Sequence, residues 1–499
     1  MQKMVTAGRL IAAIGAGVVL ALGIPPFEWH YLAVLGLMAY VWLIATSPTR
    51  RMAWWSGYLF GLAYFGVILS WLIQVEWIAY YPLAMVQALA FLIVAEGIFR
   101  FRNAPPWTFL LAAAGAISLA EFLRVRWPVG GFPWGSVGVL VGSTPWRPSL
   151  QWFGATGWIV LLTGAAAVVV LILRGRLAWR VSALVLVLGF VVLGVAGNLF
   201  PAVPDGETRS VTIVQGNSPC PGTRCPDERQ LIYESHLALT RELEPGPDLV
   251  VWAESSTGGR ADPLRDPEVE EAIGDQAERL GATLLVGGDL DAGPDHFLNV
   301  NVGFGPDGSI IGTYQKRHPV PFGEYVPLRP IFAIVPALDR VPRDMLRGDG
   351  PVLFDLDGVP FGSVISYEGA YARYGRESVR EGAGFLVLAT NEASFGESPA
   401  SDQLISISRV RAAELGVDVV HAAVTGKSAF VYADGRVEGR TELFETTAVN
   451  GLVRARTAGP TLYVRWGDWL QVGTMLMYLG LRAYSRLTHN REPERGRKT

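Results

Sequence analysis

Residues 314–328 read YQKRHPVPFGEYVPL. A lysine and a histidine two residues apart run into a Pro-Phe-Gly turn that carries a glutamate. Pro319, Pro321 and Pro327 fix φ and cut the freedom of the unfolded chain, which suits a rigid catalytic wall better than a solvated linker. Lys316 places a cation in that wall and Glu324 an acid. An ordinary charged surface turn is the competing reading, and the surrounding sequence has to decide between them.

Outward from this block the composition changes sharply. Of 499 residues, 50% are apolar and 17% charged, and the mean hydropathy is +0.30. The apolar residues crowd into 5–200 and 466–487, whereas 201–465 has the mixture of a water-facing domain. Such a balance implies a membrane protein with a globular part. The net charge of −3 offers no basic excess for nucleic acid. Lys3 and Arg9 precede an apolar run at 10–24, but no small-residue cleavage site follows, so the run reads as an anchor rather than a signal peptide. Further runs lie at 31–46, 52–73, 78–99, 107–122, 152–173, 181–200 and 470–487, giving about eight spans. Arg and Lys cluster before the first span, at 50–51, 100–102 and 174–180, and after the last. The loops at 25–30 and 74–77 carry none. By the positive-inside rule both termini are cytoplasmic and the domain faces outward. Glu96 and Glu121 near the ends of two spans have arginines close by, and interfacial snorkelling accounts for them.

Within the domain, strand-like runs recur at 209–217, 248–252, 283–287, 299–304, 352–355, 362–366, 384–389, 417–423 and 429–432. Helical patterns fall between them at 226–243, 264–280, 370–382 and 400–415. The alternation predicts an α/β layered fold, and hairpin signals at 305–308 and 433–435 predict a mixed sheet. Cys220 and Cys225 are the only cysteines; in an outward domain a pair this close reads as a disulfide rather than a metal site. No cofactor and no metal is expected.

Three strand ends carry groups that an α/β enzyme gathers into one site. Glu254 follows DLVVW and is the candidate general base, Lys316 the cation for a developing oxyanion, and Ser366, after GSVIS, the nucleophile. Taken singly, each has a plainer reading: a salt-bridged loop acid, or a hydroxyl bonding to backbone. His318 reads either as a proton-transfer aid or as a packed loop histidine.

Further motifs fall in order along nearly the whole chain: GFPWGSVG (131–138), VQGN (214–217), WAES (252–255), the 314–328 block, SYEGAY (366–371), TNEASFG (390–396), SRVRAAELG (408–416) and TLYVRWGDW (461–469). With these the sequence resembles the apolipoprotein N-acyltransferases, membrane enzymes of the nitrilase superfamily. The resemblance implies a transmembrane bundle at 1–208, an extracytoplasmic αββα nitrilase-like sandwich at 209–456, and a last span with a basic cytoplasmic tail at 457–499. It also implies a multi-pass protein of a bacterial plasma membrane. The family's Glu–Lys–Cys triad takes an acyl chain from a phospholipid donor and passes it to the amine of a diacylglyceryl-cysteine lipoprotein. On that resemblance Glu254 matches the base and Lys316 the lysine. Glu324 matches the acid of PFGE, and Tyr367 and Glu368 match the pair after the nucleophile.

Ser366 stands where the family has cysteine. A hydroxyl needs far stronger activation than a thiol, and a carboxylate is a poor base for it. Glu392, Ser394 and Lys427 also depart from the family pattern. Three readings stay open: an enzyme that uses serine, a relative that has lost catalysis and serves as an anchor or partner of another envelope enzyme, and a chain whose nucleophile was deliberately replaced. The additional departures favour natural divergence. A membrane-tethered amide hydrolase is the remaining alternative, disfavoured if the aromatics of GFPWGSVG, Trp466 and Trp469 build a water-excluding mouth.

Overall fold

The computed structural model describes residues 2–220, 225–332 and 334–495. The chain divides into two compact units, residues 1–200 with 466–499, and residues 201–465.

The first unit is helical: Gln2–Ala21, His30–Ala45, Arg50–Ile68, Leu72–Ala88, Ala90–Phe101, Pro106–Arg124, Leu150–Leu173, Trp179–Leu199 and Trp469–Arg495. Among the described residues four segments are long and apolar enough to cross a membrane, at Leu72–Phe101, Pro106–Arg124, Arg147–Leu173 and Trp179–Leu199. Thr6–Ala21 and His30–Ala45 are apolar but shorter. The loop expected at 74–77 is helical instead; the chain only kinks there, at Glu76 (φ −162°, ψ 99°).

Snorkelling at Glu96 and Glu121 is also corrected. Glu96 takes a two-pronged bond from Arg50, at 2.8 Å for each oxygen, and a third bond from the Trp54 indole. Glu121 and Arg124 form a buried fork at 2.7 and 2.9 Å. Arg124 also donates to the carbonyls of Phe132, Pro133 and Trp134 and to Gln87. The last turn of helix Pro106–Arg124 thereby holds the GFPWG segment. Trp134 is buried against Trp71, with ring centroids 4.9 Å apart.

The second unit is a two-sheet sandwich. Its strands are β1 (Thr208–Gln215), β2 (Leu249–Trp252), β3 (Thr257–Gly258), β4 (Thr283–Asp291), β5 (His296–Phe304), β6 (Ile310–Gln315) and β7 (Asp344–Met345), followed by β8 (Leu353–Leu356), β9 (Val359–Ile365), β10 (Phe385–Thr390), β11 (Val419–Ala423), β12 (Ala429–Val431), β13 (Val437–Glu438) and β14 (Thr447–Arg454). One sheet runs β14-β1-β2-β4-β5-β6, with β3 on β4 and β7 on β5; the other runs β13-β12-β11-β10-β9-β8. Both are mixed: β1, β2 and β4 are parallel, as are β9, β10 and β11, with antiparallel strands outside them.

Side-chain alternation builds the layers. Val211, Ile213, Leu249 and Val251 of one sheet meet Phe361, Ile365, Phe385 and Val387 of the other. The intervening Val214, Val250 and Trp252 face outward and pack with Ile273, Ala277 and Leu280 of helix Pro267–Leu280 and Tyr233 and Leu237 of helix Glu228–Arg241. Each fully buried aliphatic side chain contributes about 1.5–3 kcal/mol. Cys220 and Cys225 form the expected disulfide.

Candidate active site

Glu254, Lys316 and Ser366 each sit just past the C-terminal end of a strand, β2, β6 and β9 respectively. The first two residues of the 314–328 block are strand rather than loop, so Lys316 is aimed by the ladder as well as by the prolines: its N–H donates to the Asn299 carbonyl of β5 at 2.8 Å. Its side chain is wholly buried, and its Nζ donates to Glu254 Oε1 at 2.9 Å and Glu324 Oε1 at 2.6 Å. Burial opposes the ammonium, but the Glu254 and Glu324 carboxylates outweigh it and hold the lysine above its ordinary pKa. Glu324 itself is pushed up by burial, against the pull of Lys316.

Asn299 completes this core. Its amide donates to Glu254 Oε1 at 2.7 Å and to Glu324 Oε1 at 3.3 Å. The other Glu254 oxygen accepts the Asn391 N–H at 2.6 Å, and Glu324 Oε2 accepts the Val320 N–H at 2.7 Å. Sequence reading passed over Asn299, although an Asn-Val-Asn alternation in an otherwise apolar strand was a signal: a strand polar residue that faces a core needs a partner. The Asn391 contact runs through backbone, which no side-chain pattern announces.

Glu368 ties the lysine segment to the Ser366 turn. It accepts from the N–H groups of Arg317 (2.7 Å) and His318 (3.1 Å) at one oxygen, and from Ile365 N–H (3.0 Å) and the Tyr314 hydroxyl (2.7 Å) at the other. Three of those donors are the two residues directly after Lys316 and the one directly before Ser366; the fourth, Tyr314, is two residues before the lysine. Burial raises the Glu368 pKa despite them. Ser366 is half-buried and has φ +50°, a left-handed conformation costly to a residue with a Cβ. Ser255, beside Glu254, and Phe322, in PFGE, have φ +61° and +63°. Non-glycine strain of this kind costs about 1–3 kcal/mol a residue and persists where a site demands it.

His318 is packed among aromatic rings, its centroid 5.6 Å from Tyr367, 4.4 Å from Tyr371 and 5.8 Å from Tyr374. Burial, and then the Arg373 cation, lower its pKa to about 3, so it is neutral at ordinary pH. Tyr367 is buried and its hydroxyl accepts from Tyr371 at 3.2 Å. Of the departures from the family pattern, Ser394 is exposed, Lys427 pairs with Asp402 at 2.9 Å, and Glu392 is buried. The described residues contain no group of three or more His, Cys, Asp or Glu side chains able to hold a metal ion.

Residues 16–168 match the apolipoprotein N-acyltransferase N-terminal domain, and residues 210–459 match the carbon-nitrogen hydrolase family. An apolipoprotein N-acyltransferase of Methylococcus capsulatus is 30% identical across 98% of both chains. The chain belongs to the apolipoprotein N-acyltransferase family. A second member, from Mycolicibacterium smegmatis, is 29% identical over 93% of this chain and 82% of its own. Among solved structures, a CN-hydrolase superfamily protein of Xanthomonas campestris is 19% identical, covering 50% of this chain and 91% of that one at a TM-score of 0.38.

Proposed function

We propose that this chain moves a fatty acyl group from a phospholipid to the amine of a lipoprotein's N-terminal diacylglyceryl-cysteine, by way of an acyl ester on Ser366. The observation that carries this reading is the buried Glu254–Lys316–Glu324 cluster, stapled by Glu368 to the strained Ser366 turn. Glu254 takes the Ser366 proton as the oxygen attacks the ester carbonyl. Lys316, with two N–H groups directed to Glu254 and Glu324, turns the third to the oxyanion. Collapse of the intermediate expels the lysophospholipid alkoxide, which recovers the proton from Glu254. The lipoprotein amine then attacks the acyl ester, forming the amide and returning the proton to Ser366. Because a carboxylate is a weak base for an alcohol, proton transfer accompanies attack and the serine form is slow.

The charge pattern and apolar helices support eight crossings of a bacterial plasma membrane, with cytoplasmic termini and residues 209–456 outside. Mass spectrometry of the full chain incubated with phospholipid vesicles tests the activity: the proposal expects an added acyl mass on the Ser366 peptide that Ser366→Ala abolishes. Absence of that ester, together with no acylation of a diacylglyceryl lipopeptide, would sink it. The serine favours one second reading, an impaired family member that anchors or partners another envelope enzyme, and the same null result would support it.

A further inference from the structure

Beside the Glu254 carboxylate lies a second buried polar network that the acyl-transfer scheme leaves unused. Glu392 and its partner Ser401 are each 2% exposed, and its other partner His421, with Ser408 behind it, is fully buried. The Ser401 hydroxyl donates to Glu392 Oε2, and His421 Nε2 lies 3.3 Å from Oε1. On the far side of the ring, His421 Nδ1 is 2.9 Å from the Ser408 hydroxyl. A carboxylate only accepts, so the Nε2–H donates to Glu392 and Nδ1 meets Ser408. His421 is fixed by β11, where it pairs with Leu388 of β10 and Ala429 of β12. Ser401 and Ser408 both stand on helix Ala400–Leu415. The Glu392 carboxylate is therefore gripped from a strand and a helix at once.

Its backbone is the residue after Asn391, whose N–H donates to Glu254 Oε2 at 2.6 Å. The same short turn is closed by Phe395 N–H on the Glu392 carbonyl at 2.9 Å and by Ala393 N–H on Asn391 Oδ1 at 3.1 Å. Room for the acid has been made deliberately narrow: a Cβ on Gly426 would lie 2.0 Å from Glu392 Oε2. A buried carboxylate is costly and holds nothing that an apolar side chain would not fill more cheaply, unless its direction matters.

We propose that Glu392, clamped by His421 and Ser401, is a positioning residue that fixes the Asn391 N–H on the general base. With Oε2 of Glu254 occupied by that N–H, the carboxylate plane is set, and Oε1 is presented to Lys316 and Asn299. The inference rests on Glu254 acting as the base, so two readouts on the full-length protein separate the two ideas. One is the burst of Ser366 acyl ester from phospholipid vesicles; the other is alkylation of a Ser366→Cys protein by iodoacetamide, which requires the base but no lipid chemistry. Glu392→Ala lowers both rates by roughly tenfold or more, as small misplacements of a catalytic group do, with the half-saturating phospholipid concentration unchanged. Glu392→Gln, which keeps one accepting oxygen for His421 and turns an NH2 to the Ser401 hydroxyl, a group that can also accept, restores most of the rate. In a Glu254→Gln background Glu392→Ala costs nothing further, because the two act as one unit. Wild-type rates in Glu392→Ala, a full loss retained in the Glu254→Gln background, or a change confined to half-saturation would each overturn the inference. If Glu392→Ala does not yield folded protein, His421→Leu takes its place under the same criteria. Should the parent form no ester while the thiol shows the full pattern, the acyl-transfer reading fails and the positioning role stands.

Discussion

Lys316 is wholly buried between two acids, and each of the three groups depends on the others. Changing it to methionine leaves Glu254 and Glu324 sharing the Asn299 amide with no cation between them. Breaking a buried pair from one side costs about 3–5 kcal/mol, so Lys316→Met lowers the thermal midpoint as well as abolishing ester formation. A midpoint equal to that of the parent would show that the carboxylates are not held by the lysine. Ser366→Cys should act in the opposite direction on activity. On the proposed mechanism a thiolate at 366 is a far better nucleophile than a hydroxyl, and Lys316 would favour it. We expect faster acyl-enzyme formation from phospholipid, read by intact-mass kinetics, and loss of that gain when Lys316→Met is added. Equal slowness of the serine and cysteine forms would favour the second reading, an impaired family member that anchors or partners another envelope enzyme.

At the scale of single elements, helix Glu228–Arg241 and β4 each buttress the site through one tight contact. His236 of the helix is fully buried; its Nδ1 faces the Ile232 carbonyl at 2.7 Å, and its Nε2 accepts the Gly216 N–H at 3.2 Å. Burial lowers its pKa from 6.5 to about 4. A folded-state pKa below the unfolded one means that the unfolded chain takes up the proton first. The stabilisation is complete above about pH 6.5 and is lost as the pH falls towards 4. The low pKa of His318 acts in the same direction. The raised carboxyls of Glu324 and Glu368 act the other way, so the reading lies in the comparison: from pH 7 to pH 4 the thermal midpoint of His236→Gln should lose ground to a smaller extent than that of the parent, and equal slopes would remove this histidine from the account. On β4, a Cβ at Gly287 would lie 2.2 Å from the Ala253 carbonyl oxygen and 2.8 Å from the Glu254 Cα, both backbone. Gly287→Ala must displace the base itself, so ester formation falls by more than tenfold, and a variant with full activity would argue against the tight fit. The sequence announced most of this architecture through short apolar, β-branched runs at β1, β2 and β10, whose alternate residues line the inter-sheet core. It missed β14 for a definite reason. Asn450-Gly451 reads as a turn, yet both residues serve a strand: Asn450 accepts the Thr212 hydroxyl at 2.6 Å, and a Cβ on Gly451 would meet the Phe430 ring at 2.5 Å. The hairpin signal at 305–308 announced a strand after β5 but not its bounds, because Ile310–Gln315 is a short run with partly exposed positions, paired with β5 at the sheet edge. Glu254, Lys316 and Glu324 were legible as chemistry, whereas Asn299 and the Asn391 N–H were visible only once strands from distant sequence had met.

For the whole molecule, the proposed orientation makes a direct prediction. Cysteines introduced in turn at position 176 and at the exposed Asp307 should react with a membrane-impermeant reagent on intact cells only at 307; labelling at 176 would invert the topology and the functional reading with it. The buried Glu121–Arg124 fork yields another expectation. Arg124→Met strands an acid and releases three carbonyls of the 132–134 segment. It should lower the yield and thermal midpoint of the purified protein more than the double change Glu121→Gln, Arg124→Met does, since the double variant leaves no lone charge. The pairing of β1 with β14 has a consequence for how the chain is made. Thr208 lies opposite Arg454 and Gln215 opposite Thr447, so the first strand of the domain to leave the ribosome waits for the last. At about 5–20 residues a second, a gap of this length leaves one edge of β1 open for on the order of ten seconds or more. During that interval the edge is a template for any other extended segment nearby. Synthesis halted between residues 425 and 446 should accordingly give an aggregation-prone, protease-sensitive domain, and extension past Arg454 should close it.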